Sequence, residues 1–312
     1  MWETEGRYTG LPAFRFDHER LGEDADDLPE LPPAGDAAWC VATSFDEAPF
    51  GDVWKRFRES VDTTQVQALI FGYWGADYDT TLTYPVPLLV EAAASFPKLR
   101  SVFLGDIRSE ESEISWINHG DITSVFEAFP ELECFEVRGG NGLVMEPVKH
   151  DGLRMLRFES GGLPAGVVRA VGASDLPNLE VLDLWLGEDG YGGDATVADL
   201  APILSGERLP GLTHLGLEDA QIEDEIAEAV AGAPVVARLE SLSLAMGILT
   251  DRGAEALLAG QPLTHLRRLD LSHHFLSESM VERVEAALPG VDVDLDDRQE
   301  PDGDWFFIEV SE

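Results

Sequence analysis

The sequence predicts an α/β fold, a right-handed solenoid of strand-plus-helix units bent into a horseshoe, with a concave parallel β-sheet inside and α-helices on the convex side. Three observations predict it. An apolar pattern recurs eight times, helical periodicity fills the gaps between copies, and Pro- or Gly-marked exits separate the two. The pattern is apolar, two variable, apolar, one variable, apolar. It runs Val66/Leu69/Phe71, Leu99/Val102/Leu104, Leu132/Phe135/Val137, Leu153/Leu156/Phe158, Leu179/Leu182/Leu184, Leu212/Leu215/Leu217, Leu239/Leu242/Leu244 and Leu266/Leu269/Leu271, with starts 33, 33, 21, 26, 33, 27 and 27 residues apart. A ninth strand is expected at Val291–Leu295.

Each element follows from side-chain direction. The last two apolar positions of a copy are two residues apart, so on a strand both face the core and their neighbours face away. Between strands, Pro87–Phe96, Ile122–Phe129, Val197–Leu204, Ile226–Val230, Ala254–Leu258 and Met280–Leu288 carry helical spacing. Thr250/Asp251 and Ser277 are helix starts, and Leu176-Pro177, Leu209-Pro210 and Leu288-Pro289 are exits. One strand and one helix per step gives a right-handed βα coil, and because helices are wider than strands the stack is expected to curve. Residues 1–65 form an N-terminal extension and capping βα unit, with a strand at Ala37–Thr43 and helical spacing over Phe50, Val53, Trp54, Phe57 and Val61. Residues 66–295 form the solenoid. Residues 296–312 supply a C-terminal capping strand at Trp305–Val310 that blunts the open sheet edge. All three are expected to share one continuous domain.

The segments LRRLDLSHHFLSESMVERVEAAL (266–288) and LESLSLAMGILTDRGAEALLAG (239–260) resemble leucine-rich repeats of the ribonuclease-inhibitor-like class. The order of FGYWGADYDT, VFLGDI with EISWI, VRGG, ESGGLP, and LWLG before YGGDATVADL is similar to a small bacterial leucine-rich-repeat family without assigned chemistry. The resemblance implies the fold and a habit of binding proteins, with no catalytic residues to carry over. It also implies partnership with a modifying enzyme. The chain departs from the repeat pattern where an Asn or Cys is usual. Those positions hold Trp74, Ile107, Gly140, Gly161, Gly187, Ala220, Gly247 and His274, so the turn backbone has to find other partners.

Composition bounds the function. The chain has 60 Asp+Glu against 21 Lys+Arg, a formal charge of −39, and 44% hydrophobic residues. That is enough for a large core. Such a charge opposes nucleic acid, because phosphate binding needs Lys and Arg, and it opposes anionic membrane. The first residues lack a basic segment followed by an apolar one, so no signal peptide is expected. No run approaches the roughly 18 apolar residues of a membrane span. With two cysteines, Cys40 and Cys134, the expected location is the cytoplasm, with both thiols reduced.

Two groups of residues are candidates for partner binding. The outward strand positions of the middle repeats collect Glu136, Arg138, Arg157, Glu159, Asp183, Trp185 and His214. They read either as an aromatic and Arg anchor ringed by charge or as cross-strand pairs that solubilise an exposed sheet. The long loops after the strands collect Tyr73, Trp74, Asp77, Tyr78, Asp79, Trp116 and Tyr191 along one rim. They read either as a ligand rim at the carboxyl strand ends or as rings that pack the loops. Acidic clusters such as Asp77/Asp79 lack the ordered spacing of a calcium loop, and His265 with His273-His274 is no zinc spacing. No metal, cofactor or catalytic residue is expected. The leading expectation is a non-catalytic protein–protein interaction scaffold that takes a basic partner on the concave sheet and rim. Two alternatives are an accessory protein of a modifying enzyme, binding a small ligand or divalent cation at the rim, and a salt-adapted structural solenoid.

Overall fold

The computed structural model describes residues 10–22, 28–75, 84–303 and 305–312. The chain forms two compact units. Unit 1 is Met1–Met145 with His150–Met155, and unit 2 is Glu146–Lys149 with Leu156–Glu312.

In unit 1 the strands β1 (Ala13–Phe16), β2 (Ala38–Val41), β3 (Ala68–Phe71), β4 (Ser101–Leu104) and β5 (Cys134–Arg138) pair in chain order, all parallel. Helices α1 (Phe50–Ser60), α2 (Pro85–Glu91) and α3 (Thr123–Ala128) connect them, together with short 3-10 turns. Register puts Leu69 beside Val102 and Val102 beside Phe135, so the apolar pattern becomes a continuous row. Trp54 stacks between Phe57 and Phe96 at 5.7 and 5.6 Å between ring centroids and fixes α1 against the sheet.

The other face of this sheet is also buried. Ala38, Cys40, Ala68, Ile70 and Phe103 form a second apolar cluster with Leu11 packed on it. Alternation assigns Ala68, Ile70 and Phe103 to an open surface, but the strands AWCV, ALIF and SVFL are nearly continuous apolar runs. Such runs belong to parallel strands covered on both sides.

In unit 2 the strands β6 (Met155–Glu159), β7 (Val181–Gly187), β8 (His214–Ala220), β9 (Ser241–Ser243), β10 (Arg268–Asp270) and β11 (Asp292–Asp294) lie in chain order. Those from β7 onward are parallel. The helices α4 (Ala165–Ala173), α5 (Val197–Ser205), α6 (Glu223–Val230), α7 (Asp251–Ala259) and α8 (Glu278–Ala287) alternate with them. Leu182, Leu215, Leu242, Leu269 and Val293 stand side by side in register. Thr250 caps α7 by accepting from the Arg252 amide at 3.3 Å, and Ser277 caps α8 by accepting from the Met280 amide at 3.2 Å.

A repeated kink takes the place of an asparagine ladder. Asp219, Met246, His273 and Asp297 leave their strands with φ of +54° to +69°. The Asp219, Met246 and His273 amides donate to Ala245, Ser272 and Asp296 carbonyls at 2.9, 2.8 and 3.0 Å. The turns thus satisfy one another through backbone alone. Gly187 takes the same left-handed geometry at +70°, and a Cβ there would meet the Gly161 carbonyl oxygen at 2.0 Å.

The structure corrects the horseshoe. It shows a parallel sheet flanked by helices, and the sheet is not strongly curled, so no leucine-rich-repeat solenoid with a concave inner face forms. The connections explain the difference. Strong curvature needs a uniformly wider helix layer, whereas α2 has 7 residues, α3 has 6, and no helix separates β5 from β6. Trp305–Val310 makes no strand either. Among the described residues β11 is the last one, and Trp305 only bridges Asp302.

Gly187→Ala is expected to lower unfolding stability by about 1–3 kcal/mol, the usual cost of a strained backbone position. Urea unfolding followed by circular dichroism checks it, and an unchanged midpoint would show that the kink tolerates a side chain.

Candidate functional site

The polar face of unit 2 carries the densest chemistry. With Leu182, Leu184, Leu215 and Leu217 turned into the core, Asp183 and Trp185 on β7 and His214, Gly216 and Glu218 on β8 face the other way, joined by Arg157 from β6 and Ser241 from β9.

These side chains form one chain of contacts. The Arg157 guanidinium donates to Asp183 Oδ2 from Nε at 3.0 Å and from a terminal nitrogen at 2.7 Å. It also lies 3.6 Å from Glu159. Asp183 Oδ1 is 2.6 Å from His214 Nε2, and His214 Nδ1 is 2.6 Å from Ser241 Oγ. In its protonated form the ring donates from both nitrogens, to the carboxylate and to the hydroxyl oxygen. Beside this chain the Trp185 indole N–H donates to Glu218 Oε2 at 2.8 Å. Gly216 lies between the two acids. A Cβ there would come within 2.5 Å of Asp183 Oδ1 and 3.3 Å of Glu218 Oε1, so this strand position has to stay bare.

The same surroundings treat the two carboxyls differently. Burial opposes ionisation of Asp183, but the charges and hydrogen bonds of His214 and Arg157 outweigh it and hold the group down to about 2. For His214, burial disfavours the charged ring, yet Asp183 more than compensates and raises its pKa. Among the described residues Glu218 makes no ion pair of its own, and His214 and Arg157 only moderate it from a distance. Burial, with the nearby Asp183 charge, pushes it up to about 7.

The structure divides the sequence-predicted residues. Arg157, Glu159, Asp183, Trp185 and His214 come together in unit 2. Glu136 and Arg138 lie in unit 1, where Glu136 is buried in β5 and the Arg138 guanidinium sits 5.6 Å over the Phe103 ring. Tyr73 and Trp74 are buried, and Trp74 meets the rings of Tyr84 and His119 at 6.0 and 5.5 Å. Trp116 is 51% exposed. The Tyr191 hydroxyl bonds the Glu312 carboxylate. Asp77, Tyr78 and Asp79 lie outside the described residues. Sequence reasoning passed over Ser241, Gly216 and Glu218 as candidates. A signal was present, because Ser241 and His214 hold the same position in consecutive copies and register makes them neighbours.

Three functional expectations are corrected by the structure. A scaffold that cradles its partner needs a concave sheet, and this sheet is not strongly curled. A divalent-cation rim needs clustered ligands, and among the described residues no group of three His, Cys, Asp or Glu side chains could hold a metal. The salt-adapted solenoid falls with the solenoid itself. Among the described residues no helix is long and apolar enough to cross a membrane.

No family model and no curated protein matches the chain. Among solved structures, the crystal structure of a Bacteroides fragilis protein from a structural genomics consortium superposes with a TM-score of 0.74 at 30% identity, covering 83% of this chain and 72% of that one. The chain belongs to the family of that Bacteroides fragilis protein. The leucine-rich-repeat assignment is corrected accordingly, since no such family model matches. The Bacteroides relative shares the fold across both units to the extent of that coverage.

Asp183→Asn removes the charge that holds the His214 proton. NMR titration is expected to show the His214 pKa falling, because burial and the Arg157 charge are then opposed only by the weaker pull of Glu218. Stability is expected to drop by about 3–5 kcal/mol, the cost of stranding a buried charge. A His214 pKa equal in both proteins would refute the pairing.

Proposed function

We propose that the protein is a non-catalytic receptor for a small organic cation, an alkylammonium or guanidinium group held at Trp185 and Glu218 on the polar face of unit 2. One observation carries this reading. Trp185 and Glu218 are joined at 2.8 Å and both stay partly exposed, beside a chain in which Arg157, Asp183 and His214 already compensate one another. An indole face attracts a cation by about 0.5–2 kcal/mol depending on desolvation. A carboxylate hydrogen-bonded to the indole edge supplies the full opposite charge. The net charge of −39 draws cations toward the surface from a distance.

Ser241, His214 and Asp183 contain the components of an acyl-transfer triad. Ser241 is nevertheless buried, and Arg157 neutralises the Asp183 carboxylate through Oδ2 while His214 holds Oδ1. In this reading the chain is a brace that keeps the Trp185 strand and the Glu218 strand in register.

Binding requires ionised Glu218. Calorimetry with arginine methyl ester and with n-butylammonium at pH 8.5 is expected to show association that weakens at least about tenfold at pH 5.5, as the carboxyl is protonated through its pKa of about 7. Trp185→Ala is expected to remove it. Absence of heat with either cation at millimolar concentration and pH 8.5 would overturn the proposal.

A further inference from the structure

The C-terminal segment of unit 2 runs back across the strand exits and covers the buried acid Asp219, behind which Glu223 is also buried. The Glu309 amide donates to the Met246 carbonyl at 2.9 Å, and the Val310 amide donates to Asp219 Oδ1 at 2.9 Å. Phe306 and Phe307 meet the Phe275 ring at 4.9 and 5.3 Å, Phe307 meets His273 at 5.7 Å, and Ile308 is buried. Glu312 bonds Tyr191 at the far end. The segment is therefore pinned at the exits of β7, β8, β9 and β10 in turn.

Beneath it lies Asp219, bonded to Val310, with Glu223 packed further in beside Gly247, and neither acid is exposed to solvent. Among the described residues Asp219 Oδ2 has no hydrogen-bond partner and the Glu223 oxygens make no well-formed bond, the Ala220 backbone being their nearest donor. A buried carboxylate without donors is costly, whereas its protonated form is tolerated. Hydration would satisfy these oxygens, and the covering segment is what keeps water away.

We propose that residues 305–312 form a proton-linked strap, closed over Asp219 and Glu223 while these are protonated and loosened as they ionise. The surroundings fit. Burial pushes Asp219 up to about 9, helped by the charges of Glu309 on the strap and Glu218 on β8. Glu223 is raised well above the usual carboxylate range by burial, with Glu218, Asp219 and Asp224 adding to it. Once the strap lifts, both groups meet water and regain ordinary acidity. The sign follows from linkage. A group whose pKa is raised in the closed state favours closure at low pH and loses that contribution as pH climbs through the interval between its open and closed values. The strap does not rest on cation binding at Trp185, and the two sites share one influence, the Glu218 charge, which raises Asp219 and Glu223.

Hydrogen exchange of the full chain tests it, with rates corrected for the intrinsic pH dependence of amides. The amides of Glu309 and Val310 are the reporters, and those of Leu215–Leu217 in β8 are the control. Protection of the reporters is expected to fall at least about tenfold per pH unit between pH 5 and 8, while β8 stays protected. The double variant Asp219→Asn with Glu223→Gln mimics the protonated pair and is expected to hold its protection constant. Three results would each overturn the strap: constant reporter protection in the parent, an unchanged slope in the double variant, or equal loss in β8.

Discussion

Register is the constraint on which the rest of unit 2 depends. Leu182, Leu215, Leu242 and Leu269 have to align for the core side of the sheet to be dry. A slip of one residue between neighbouring strands would turn every leucine outward and every polar side chain inward. The penalty for that slip runs to several kcal/mol for each large apolar side chain lost from the core. The outward positions inherit their neighbours from this alignment. Asp183 stands beside Gly216, Trp185 beside Glu218, and His214 beside Ser241 because the leucines between them permit no other pairing. A core interaction thus places the polar groups, which contribute their own chemistry once placed.

The polar chain then shows how a sheet face carries charge without losing stability. Asp183 is nearly inaccessible, and an isolated carboxylate there would be costly. Arg157 and His214 approach it from the two adjacent strands and occupy both of its oxygens. Gly216 makes this possible by leaving room on the facing strand. Compensation of one acid leaves its neighbour uncompensated, because Arg157 and His214 are both committed. Among the described residues Glu218 has the indole N–H of Trp185 but no ion pair of its own, and Arg157 and His214 act on it only from a distance.

The strands were legible in the sequence because burial writes a period of two, and each of the eight copies coincides with a strand from β3 to β10. The starts of α7 and α8 were legible from Thr250 and Ser277 for a similar local reason. Curvature was not. It depends on the accumulated widths of all the connections, and a pattern of leucines says nothing about the short α2 and α3 or the helix-free passage into β6. The covered second face of unit 1 was written in the runs AWCV, ALIF and SVFL, but alternation masks it when alternate residues are read as outward by rule. Trp74 illustrates the same limit: an aromatic residue in a glycine-rich loop reads equally as ligand contact or as packing, and its partners Tyr84 and His119 come from distant segments. Of the polar face, Arg157, Glu159, Asp183 and His214 stood out by type, whereas Glu218 was one acid among many. Ser241 and Gly216 did not stand out, since a small residue acquires meaning only from what lies opposite it.

Glu218 and Asp219 show most directly that place rather than residue type sets the chemistry. They are consecutive carboxylic acids on one strand, and in an extended chain they would share solvent and titrate together. The strand sends Glu218 to the polar face, where it meets Trp185 and feels the Asp183 charge. The left-handed turn at Asp219, with φ of +54°, then rotates the next side chain beneath the C-terminal segment, where Val310 is the donor it meets. One residue is held near neutrality, at about 7, and the other at about 9. The kink that lets neighbouring turns satisfy their backbone therefore has a second consequence: it hands adjacent acids to separate environments, one beside Trp185 on the sheet face and the other under Val310 of the C-terminal segment.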